Sequence, residues 1–300
     1  TVIKKVLILS DGRAGHVNQS VALAKYTGAT YDIIQVVFKS KAAKLLSMIL
    51  DACHIYTQRI YDEHKIPEAD YDAVVSAGSS TYYLNKTIAK KLHAKSIAMM
   101  LPKGYRYDFD VIFAQSHDAP PKKNTIVEIP INFSFADAKG IYKAQKKSIG
   151  IIIGGDNRYF TISVQKLKEQ LDLIVQLYQG YEIAVTTSPR TSKEIEALIR
   201  SYRFDYEVLF SENPVNPISD FLEQCEYVFI TGDSTSMISE AVAWGSANVV
   251  VLPLEGKGDN KFTRFASFLE KEGYLHLFDG TVHDKHKKVD FLTYLQKARL

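Results

Sequence analysis

Short apolar runs alternate along the chain with longer stretches in which apolar positions recur every three or four residues. Several runs are apolar at consecutive positions, which is typical of strands covered on both faces in a parallel sheet. In the first half we predict strands at 6–9, 33–38, 73–76, 96–100, 111–114 and 125–129. The helical periodicity falls at 18–26, 42–61 and 80–92. This alternation predicts βαβ units.

The pattern begins again after a basic segment, 132–147, that contains Gly140 and that we interpret as a linker. Strands are predicted at 149–153, 182–186, 206–210, 227–230 and 248–251, and helices at 161–178, 192–201, 218–224, 236–244 and 261–272. The prediction is an α/β protein with two Rossmann-like, doubly wound domains facing a cleft, at 1–135 and 146–275. Residues 276–300 would form a C-terminal tail with a helix.

Composition narrows the class of protein. A formal net charge of +3 on 300 residues does not indicate nucleic-acid binding. No apolar run is long enough for a transmembrane helix, and the first apolar run is too short for a signal peptide. The two cysteines have no metal-ligand spacing, so we expect a reducing, cytoplasmic compartment. A peripheral contact with the inner membrane stays open, although a solvated surface is the favoured explanation of the lysines.

The most informative motif runs from residue 230 to residue 245 and reads as a strand end, a small polar turn and a helix. Gly232 permits close approach, and Asp233, Ser234 and Thr235 can cap the helix. The unpaired amides of a helix N-terminus can hold an anion such as a diphosphate. Glu240, two turns on, could reach a sugar hydroxyl. The motif therefore suggests a nucleotide or nucleotide-sugar.

Two further strand-end loops in the second half could contact phosphate. Gly154 and Gly155, followed by Asn157, would let the backbone curve around oxyanions. Ser188 and Arg190 add a hydroxyl and a guanidinium, which binds oxyanions through paired hydrogen bonds. Ordinary turn geometry and a capped helix with a solvent-facing arginine are the alternatives.

The loop after the first strand could carry acid–base chemistry. It contains Gly12 and Gly15 but lacks the three-glycine dinucleotide spacing, so a nicotinamide cofactor is not indicated. His16 lies where a helix begins and could take a proton from a hydroxyl. Asp11 is the competing base, and a histidine that merely packs or caps is the structural alternative.

Other polar residues follow the same predicted sheet edge. Asn18 and Gln19 would be either substrate contacts or first-turn surface residues, and Ser79 belongs to a second polar turn that opens a helix. In the second half, the loop 252–262 could close over a sugar or be a plain surface loop. Asp108 and Asp110 match the Asp-x-Asp spacing of metal-dependent sugar transferases, but we interpret them as the lead into a strand. No metal site is predicted.

Taken together, these loops resemble the Elm-type mitochondrial-fission family of plants and proteobacteria. The matching motifs are residues 10–19, 154–157, 187–191, 231–241 and 261–265, in order along nearly the whole chain. Bacterial members of that family are usually described as candidate glycosyltransferases. More distantly, the arrangement is similar to MurG, an N-acetylglucosamine transferase of the two-Rossmann GT-B architecture.

The resemblance implies a division of labour between the domains. In MurG-like enzymes a glycine-rich first loop ending in Gly-His faces the acceptor, and Gly15 and His16 match it. A glycine turn in the second domain meets the donor, and a helix-borne glutamate, here Glu240, binds the ribose. The implied catalytic residue is His16 or Asp11. The implied donor-binding set is Gly154, Gly155, Asn157, Ser188, Arg190, Asp233, Ser234, Thr235 and Glu240, and the acceptor-binding set is Gly12, Gly15, Asn18, Gln19 and Ser79.

The expected activity is metal-independent transfer of a sugar from a nucleotide-sugar to a cell-envelope glycan or glycolipid, with inversion as in MurG. The nucleotide-sugar would be a substrate, so no cofactor is expected. Two other functions stay open at this stage. Non-hydrolysing nucleotide-sugar 2-epimerases share the architecture, and a non-catalytic adaptor at a membrane, as the plant relatives suggest, would keep the fold without the chemistry.

Overall fold

The computed structural model describes residues 2–256 and 258–300, and these divide into two compact units. The first unit extends to Phe135 and also contains Asp290–Leu300, whereas the second is Ala136–Val289. The segment that the sequence grouped as 276–300 is thus divided between the units. Its last part belongs to the first unit because the buried ring of Phe291 stacks on Phe133, with ring centroids 4.5 Å apart.

The first unit contains a six-stranded parallel sheet in the order β2-β1-β3-β4-β5-β6. Its strands are β1 Lys5–Ser10, β2 Thr30–Gln35, β3 Ala73–Ser76, β4 Lys95–Ala98, β5 Val111–Gln115 and β6 Ile126–Ile129. Its helices are α1 Ala14–Thr27, α2 Lys41–Ala52, α3 Tyr82–Leu92 and the C-terminal α9 Phe291–Lys297, with a 3₁₀ turn at Ser116–Asp118. β3 and β5 are buried along their whole length and β1 from its second residue onward, as their continuous apolar runs predict.

The second unit repeats this architecture with the strand order β10-β9-β7-β11-β12-β14. Its strands are β7 Ser148–Ile153, β9 Glu182–Thr187, β10 Tyr206–Val208, β11 Tyr227–Thr231, β12 Asn248–Leu252 and β14 His276–Leu277. A separate antiparallel pair consists of β8 Phe160–Thr161 and β13 Glu255–Gly256. Its helices are α4 Val164–Leu177, α5 Lys193–Tyr202, α6 Ile218–Gln224, α7 Thr235–Ala243 and α8 Lys261–Lys271.

Among the predicted elements, one helix ends early and one strand is shifted along the chain. The predicted helix 42–61 ends at Ala52, because His54 adopts a left-handed φ of 60° and the amide of Ile55 closes the helix on the Leu50 carbonyl at 2.8 Å. The predicted strand 33–38 lies three residues earlier, at Thr30–Gln35. The register of β2 is set by its pairing with β1, which cannot be inferred from the apolar run alone.

Within the described residues, no helix is both long enough and apolar enough to cross a bilayer.

Candidate functional site

Each unit has one point where its strand order reverses direction. In the first sheet this point lies between β1 and β3, and in the second sheet between β7 and β11. Loops that leave the carboxyl ends of these strand pairs diverge to opposite faces of the sheet and leave a crevice, which is where open α/β sheets bind ligands. Most of the candidate residues lie near these two points, one in each unit.

The loop after β1 holds a hydrogen-bonded acid–histidine pair. His16 Nδ1 lies 2.6 Å from Asp11 Oδ2, and the second oxygen of Asp11 accepts the backbone N–H of Arg13 at 3.0 Å. Asp11 is the more enclosed partner, with 8% of its side chain exposed against 23% for His16. An ionised carboxylate only accepts hydrogen bonds, so with Asp11 ionised the donor of this pair is Nδ1, and Nε2 is the ring nitrogen outside the pair.

The loop after β3 presses against this pair. Gly78 has a left-handed φ of 106°, and a Cβ at this position would lie 2.4 Å from Asp11 Oδ2 and 2.7 Å from His16 Nδ1. Only a residue without a side chain therefore allows the two loops to meet. Next to it, Ser79 Oγ accepts a hydrogen bond from Lys44 Nζ at 2.8 Å. Sequence reasoning named the turn that begins at Gly78 and contains Ser79, but it missed Lys44.

The remaining predicted acceptor residues lie around the same loop but differ in accessibility. Gly12 has a left-handed φ of 84°, and a Cβ at this position would lie 3.0 Å from Gln35 Nε2. Around Gly15 the space is open. Asn18 is exposed, whereas Gln19 is buried and hydrogen-bonds the Gly15 carbonyl at 3.4 Å. Gln19 is thus enclosed at the start of α1, and its buried Oε1 has no hydrogen-bond partner among the described residues.

At the switch point of the second unit, the buried carboxylate of Asp233 joins three loops. Its Oδ1 accepts the hydroxyl of Thr231 at 2.6 Å. Its Oδ2 accepts the guanidinium of Arg190 at 2.6 Å and the amide of Gly155 at 3.3 Å. Arg190 also donates to the Gly155 carbonyl at 3.1 Å. The structure thus brings Gly155, Arg190 and Asp233 together, and Asp233 acts as their common anchor.

The two glycines of this site are enclosed by protein. A Cβ on Gly154 would lie 2.1 Å from Asp233 Oδ2, and one on Gly155 would lie 2.0 Å from the Arg190 carbonyl oxygen. Because those atoms already fill the space, the glycines are required by loop packing. The loop packing alone accounts for both glycines, and the predicted contact with phosphate oxygens stays a separate prediction.

Side-chain hydrogen bonds hold the surrounding loops in place. Asn157 donates to the Asp233 carbonyl at 2.9 Å and accepts two amides of its own loop, so its side chain is engaged by the protein. Ser188 Oγ lies 3.2 Å from Thr191 Oγ1, which donates to the Gly154 carbonyl at 2.7 Å. Thr191 and Thr231 lie within motifs that the sequence singled out, but their hydrogen bonds to Gly154 and Asp233 were not foreseen.

The helix after β11 begins at this anchor. Ser234 is the N-cap residue of α7, and its Oγ accepts the Met237 amide at 3.3 Å. Thr235 is the first helical residue, and both it and Ser234 are partly exposed. The first amides of an α-helix have no partner within the helix, and its dipole is positive at this end. The exposed cation of Arg190 and this helix start are thus tied to the same aspartate.

Glu240 lies farther along α7, on the side facing α6. Its Oε1 accepts the hydroxyl of Ser219 at 3.2 Å. Burial raises the pKa of this carboxyl, partly offset by the Ser219 hydrogen bond and by the charge of Lys139. A carboxyl that is costly to ionise favours a partner that donates hydrogen bonds to it.

The two weaker candidates have structural explanations. Asp108 forms an ion pair with the buried Lys86 at 2.6 Å, and Asp110 accepts the Ser96 amide at 2.8 Å, so both anchor the first sheet. Among the described residues, no group of three His, Cys, Asp or Glu side chains could hold a metal ion. The loop 252–262 includes the β13 pairing with β8, and its Lys257 lies outside the described residues.

The chain is similar to known proteins in both sequence and fold. The profile of the family described as Mitochondrial fission ELM1 matches residues 14–295. The chain belongs to this family. An uncharacterized protein of Rickettsia prowazekii (strain Madrid E) is 23% identical, over 83% of each chain.

One solved structure shows the same fold. The crystal structure of MurG from Acinetobacter baumannii is 14% identical, with a TM-score of 0.50, covering 94% of this chain and 87% of that one. A more distant likeness is to a Listeria monocytogenes structure titled as a putative UDP-N-acetylglucosamine 2-epimerase, 11% identical, with a TM-score of 0.47 over 92% and 84% of the two chains. The predicted α/β class with two Rossmann-like domains, and the resemblance to the ELM1 family and MurG, are confirmed.

Proposed function

We propose that this ELM1-family chain is a metal-independent glycosyltransferase that moves a sugar from a nucleotide-sugar donor to a cell-envelope glycan or glycolipid. The observation that carries the proposal is the Asp11–His16 pair at the switch point of the first sheet. A buried carboxylate oriented onto Nδ1 leaves Nε2 to remove a proton, which is the arrangement that hydroxyl activation requires. The fold it shares with MurG supports the same direction but does not identify the reaction.

In this proposal His16 is the general base, and Asp11 orients it and stabilises the imidazolium that forms. Asp11 itself has its oxygens engaged by His16 and by the Arg13 amide, which disfavours it as the base. The acceptor hydroxyl would lie beside Ser79 and the open surface at Gly15. Attack on the anomeric carbon by the deprotonated oxygen breaks the bond to the diphosphate, and a single displacement inverts that centre.

The second unit would bind the donor. The amides that begin α7 at Thr235, together with the exposed guanidinium of Arg190, would stabilise the leaving diphosphate without a metal ion. Asp233 would hold Arg190 rather than touch the donor, and Gly154, Gly155, Asn157 and Ser188 would shape the loops around it. Glu240 would accept hydrogen bonds from the ribose hydroxyls.

The first experiment is a thermal-shift panel of nucleotide-sugars at millimolar concentration. Saturating ligand at a hundred to a thousand times its Kd should stabilise the native state by roughly 3 to 4 kcal/mol. Ser234→Ala removes the α7 cap and should lower the response. Ser163→Ala is the matched control, because Ser163 caps α4 in the same unit with an equal 3.3 Å hydrogen bond. Equal loss of the response in both variants would remove the α7 start from donor binding.

The second experiment separates the candidate activities. Purified protein is incubated with the stabilising nucleotide-sugar, with and without membrane glycolipid extract. Release of nucleotide that requires the extract supports transfer, whereas conversion of the donor to its epimer without extract supports a 2-epimerase. If no nucleotide or nucleotide-sugar shifts the melting temperature, the non-catalytic adaptor replaces the proposal.

A further inference from the structure

Strand β2 lies at one edge of the first sheet, and its outer side is open. The amides of Thr30 and Val36 donate inward, to carbonyls on the β1 side. Because backbone groups alternate in direction along a strand, the amides and carbonyls of Tyr31, Ile33 and Gln35 point outward. Within the described residues, β2 pairs with β1 and with no other strand, so these outward groups have no partner in the sheet.

The open part of the edge has a defined end. The Val37 carbonyl accepts the Asp62 amide at 2.8 Å, and the Lys39 amide donates to the Ile60 carbonyl at 3.0 Å. This neighbouring segment occupies the edge beyond β2. An added strand is therefore confined to residues 31–35, which we call the β2 edge.

The β2 edge lacks the devices by which proteins usually prevent strand addition. Residues 30–37 contain no proline and no lysine. On one face, Tyr31 and Ile33 are 37% and 46% exposed. The single charged side chain of this segment, Asp32, lies on the other face and is already held by Lys5 at 3.4 Å and by the Tyr71 hydroxyl at 2.6 Å. The edge thus offers free backbone groups and apolar side chains to an incoming strand.

A second copy of this chain matches the β2 edge group for group. A twofold axis beside Ile33 sets this residue against Ile33 of the partner copy and Tyr31 against Gln35 of the partner copy. In this antiparallel register, each outward amide meets an outward carbonyl. A shift of two residues loses this match, because the Ala29 amide and the Val37 carbonyl are already bonded within the chain. An extended segment of another protein could supply backbone groups, but an identical strand also sets one exposed isoleucine against another.

Charges around the β2 edge do not oppose this contact. Antiparallel pairing sets the start of one strand beside the end of its partner, and exposed residues of both signs lie near each. Those near the start are Lys4, Lys25 and Asp72, and those near the end are Lys39, Asp62 and Glu63. Because neither group is of one sign, the pairing brings no block of like charge together.

We propose that the chain forms a symmetric dimer through the β2 edge, so that two six-stranded sheets join into one continuous sheet. Backbone hydrogen bonds from three residues of each copy and a small apolar contact predict a weak association that depends on protein concentration. The dimer stands apart from the proposed function, because Tyr31, Ile33 and Gln35 belong to neither candidate site.

The first test is sedimentation velocity without nucleotide, at protein concentrations from low micromolar to submillimolar. We expect a reversible monomer–dimer equilibrium. Ile33→Lys would set two ammonium groups against each other at the axis and should raise the dissociation constant at least about tenfold. The control is Leu173→Lys on α4, where a leucine of similar exposure, 43%, is changed and the equilibrium should stay the same. A monomer at every concentration, or equal weakening in both variants, would overturn the proposal.

Cysteine cross-linking tests the register. The background is Cys53→Ser, which removes the exposed thiol and leaves the buried Cys225. Ile33→Cys sets two thiols on Cα atoms about 5.5 Å apart across the axis, so a short bismaleimide should link two copies. Tyr31→Cys is the matched control, because its two copies lie about 14 Å apart, four residues along the strands, and should not link. A mixture of Tyr31→Cys and Gln35→Cys copies should link again.

The cross-linking result separates this dimer from other forms of association. A dimer in sedimentation whose Ile33→Cys copies do not link, or whose Tyr31→Cys copies link equally well, would contradict pairing through the β2 edge. Neither experiment contains nucleotide, so a failure of the dimer and a failure of the proposed transferase are read separately.

Discussion

The two switch points share a topology but differ in how their aspartates are used. Asp11 holds His16 through one short hydrogen bond, and no protein group of the described chain hydrogen-bonds His16 Nε2. Asp233 accepts Thr231, Gly155 and Arg190 and is almost fully buried. The first site therefore offers a group that can exchange a proton, whereas the second offers a closed anchor that positions a cation and a helix start.

This difference shows how similar frames can serve unlike tasks. A parallel sheet delivers strand-end loops to one crevice, but the side chains in those loops decide the chemistry. At the first switch point, Gly78 lets two loops pack against the Asp11–His16 pair. At the second, Gly154 and Gly155 let loops pack against Asp233 and Arg190. Five changes test this contrast, in order of decreasing expected effect.

The largest effect is expected from His16→Ala. Loss of a general base should slow transfer by about 10²- to 10⁴-fold, or roughly 3 to 5 kcal/mol of activation free energy. The melting temperature should stay close to that of the unchanged protein, because His16 is at the surface of its site. His64→Ala, a histidine of the same unit, is the control for kinetics and stability. A His16→Ala enzyme with full activity would remove His16 from the mechanism.

Gly155→Ala should destabilise the protein by about 3 kcal/mol, as overpacking does when backbone must move. The new Cβ would collide with the Arg190 carbonyl at 2.0 Å. Gly15→Ala is the paired control, since no atom lies within 4 Å of its added Cβ and alanine favours a helix. Chemical denaturation measures both. If the two variants are equally stable, the backbone around Gly155 is no more tightly packed than the backbone around Gly15.

Asp11→Asn should lower the transfer rate by about ten- to a hundredfold, or about 2 kcal/mol, because an amide orients the imidazole less reliably and does not stabilise its charged form. The rate should fall no further when Asp11→Asn is added to His16→Ala, since the two act as one unit. Fully additive losses in this double-mutant cycle would mean that Asp11 acts independently of His16.

Arg190→Ala should cost about 2 kcal/mol of folding stability, less than for a fully buried pair because Arg190 is 42% exposed. It leaves the buried Asp233 carboxylate without its cation. Asp233→Asn in the same background should recover part of the loss. Thermal unfolding of the single and double variants measures the coupling. No recovery in the double variant would show that Asp233 is not stabilised by Arg190.

The smallest effect is expected at Glu240. Burial raises the pKa of this carboxyl in the folded state above its pKa in the unfolded state. The protonated form therefore favours folding at low pH, and this contribution is lost as the pH rises from the unfolded-state pKa through the folded-state pKa. Glu240→Gln should therefore be slightly more stable than the unchanged protein near pH 8, with a flatter pH profile. Nucleotide binding should weaken by roughly five- to tenfold, the value of one hydrogen bond. Tighter binding would exclude Glu240 as the ribose contact.

The sequence by itself determined the fold class and most of the core. Apolar runs at β1, β7 and β11 are long and continuous enough to require burial on both faces, so their strand character follows from local composition. The polar turns after those strands then had to meet at a sheet edge. For that reason the sequence could place Asp11, His16, Gly155, Arg190 and Ser234 at candidate sites without any coordinates.

Only the tertiary structure decided which of these residues engage each other. A hydrogen bond between loops far apart in sequence makes Asp233 an anchor for Arg190. Close packing against Asp11 and His16 requires a glycine at position 78. The helical period of α2 was visible in the chain, but its direction was not. A buried ion pair between Asp51 and Lys86, 35 residues apart, turns its leucines outward, and no local pattern encodes a contact at that separation.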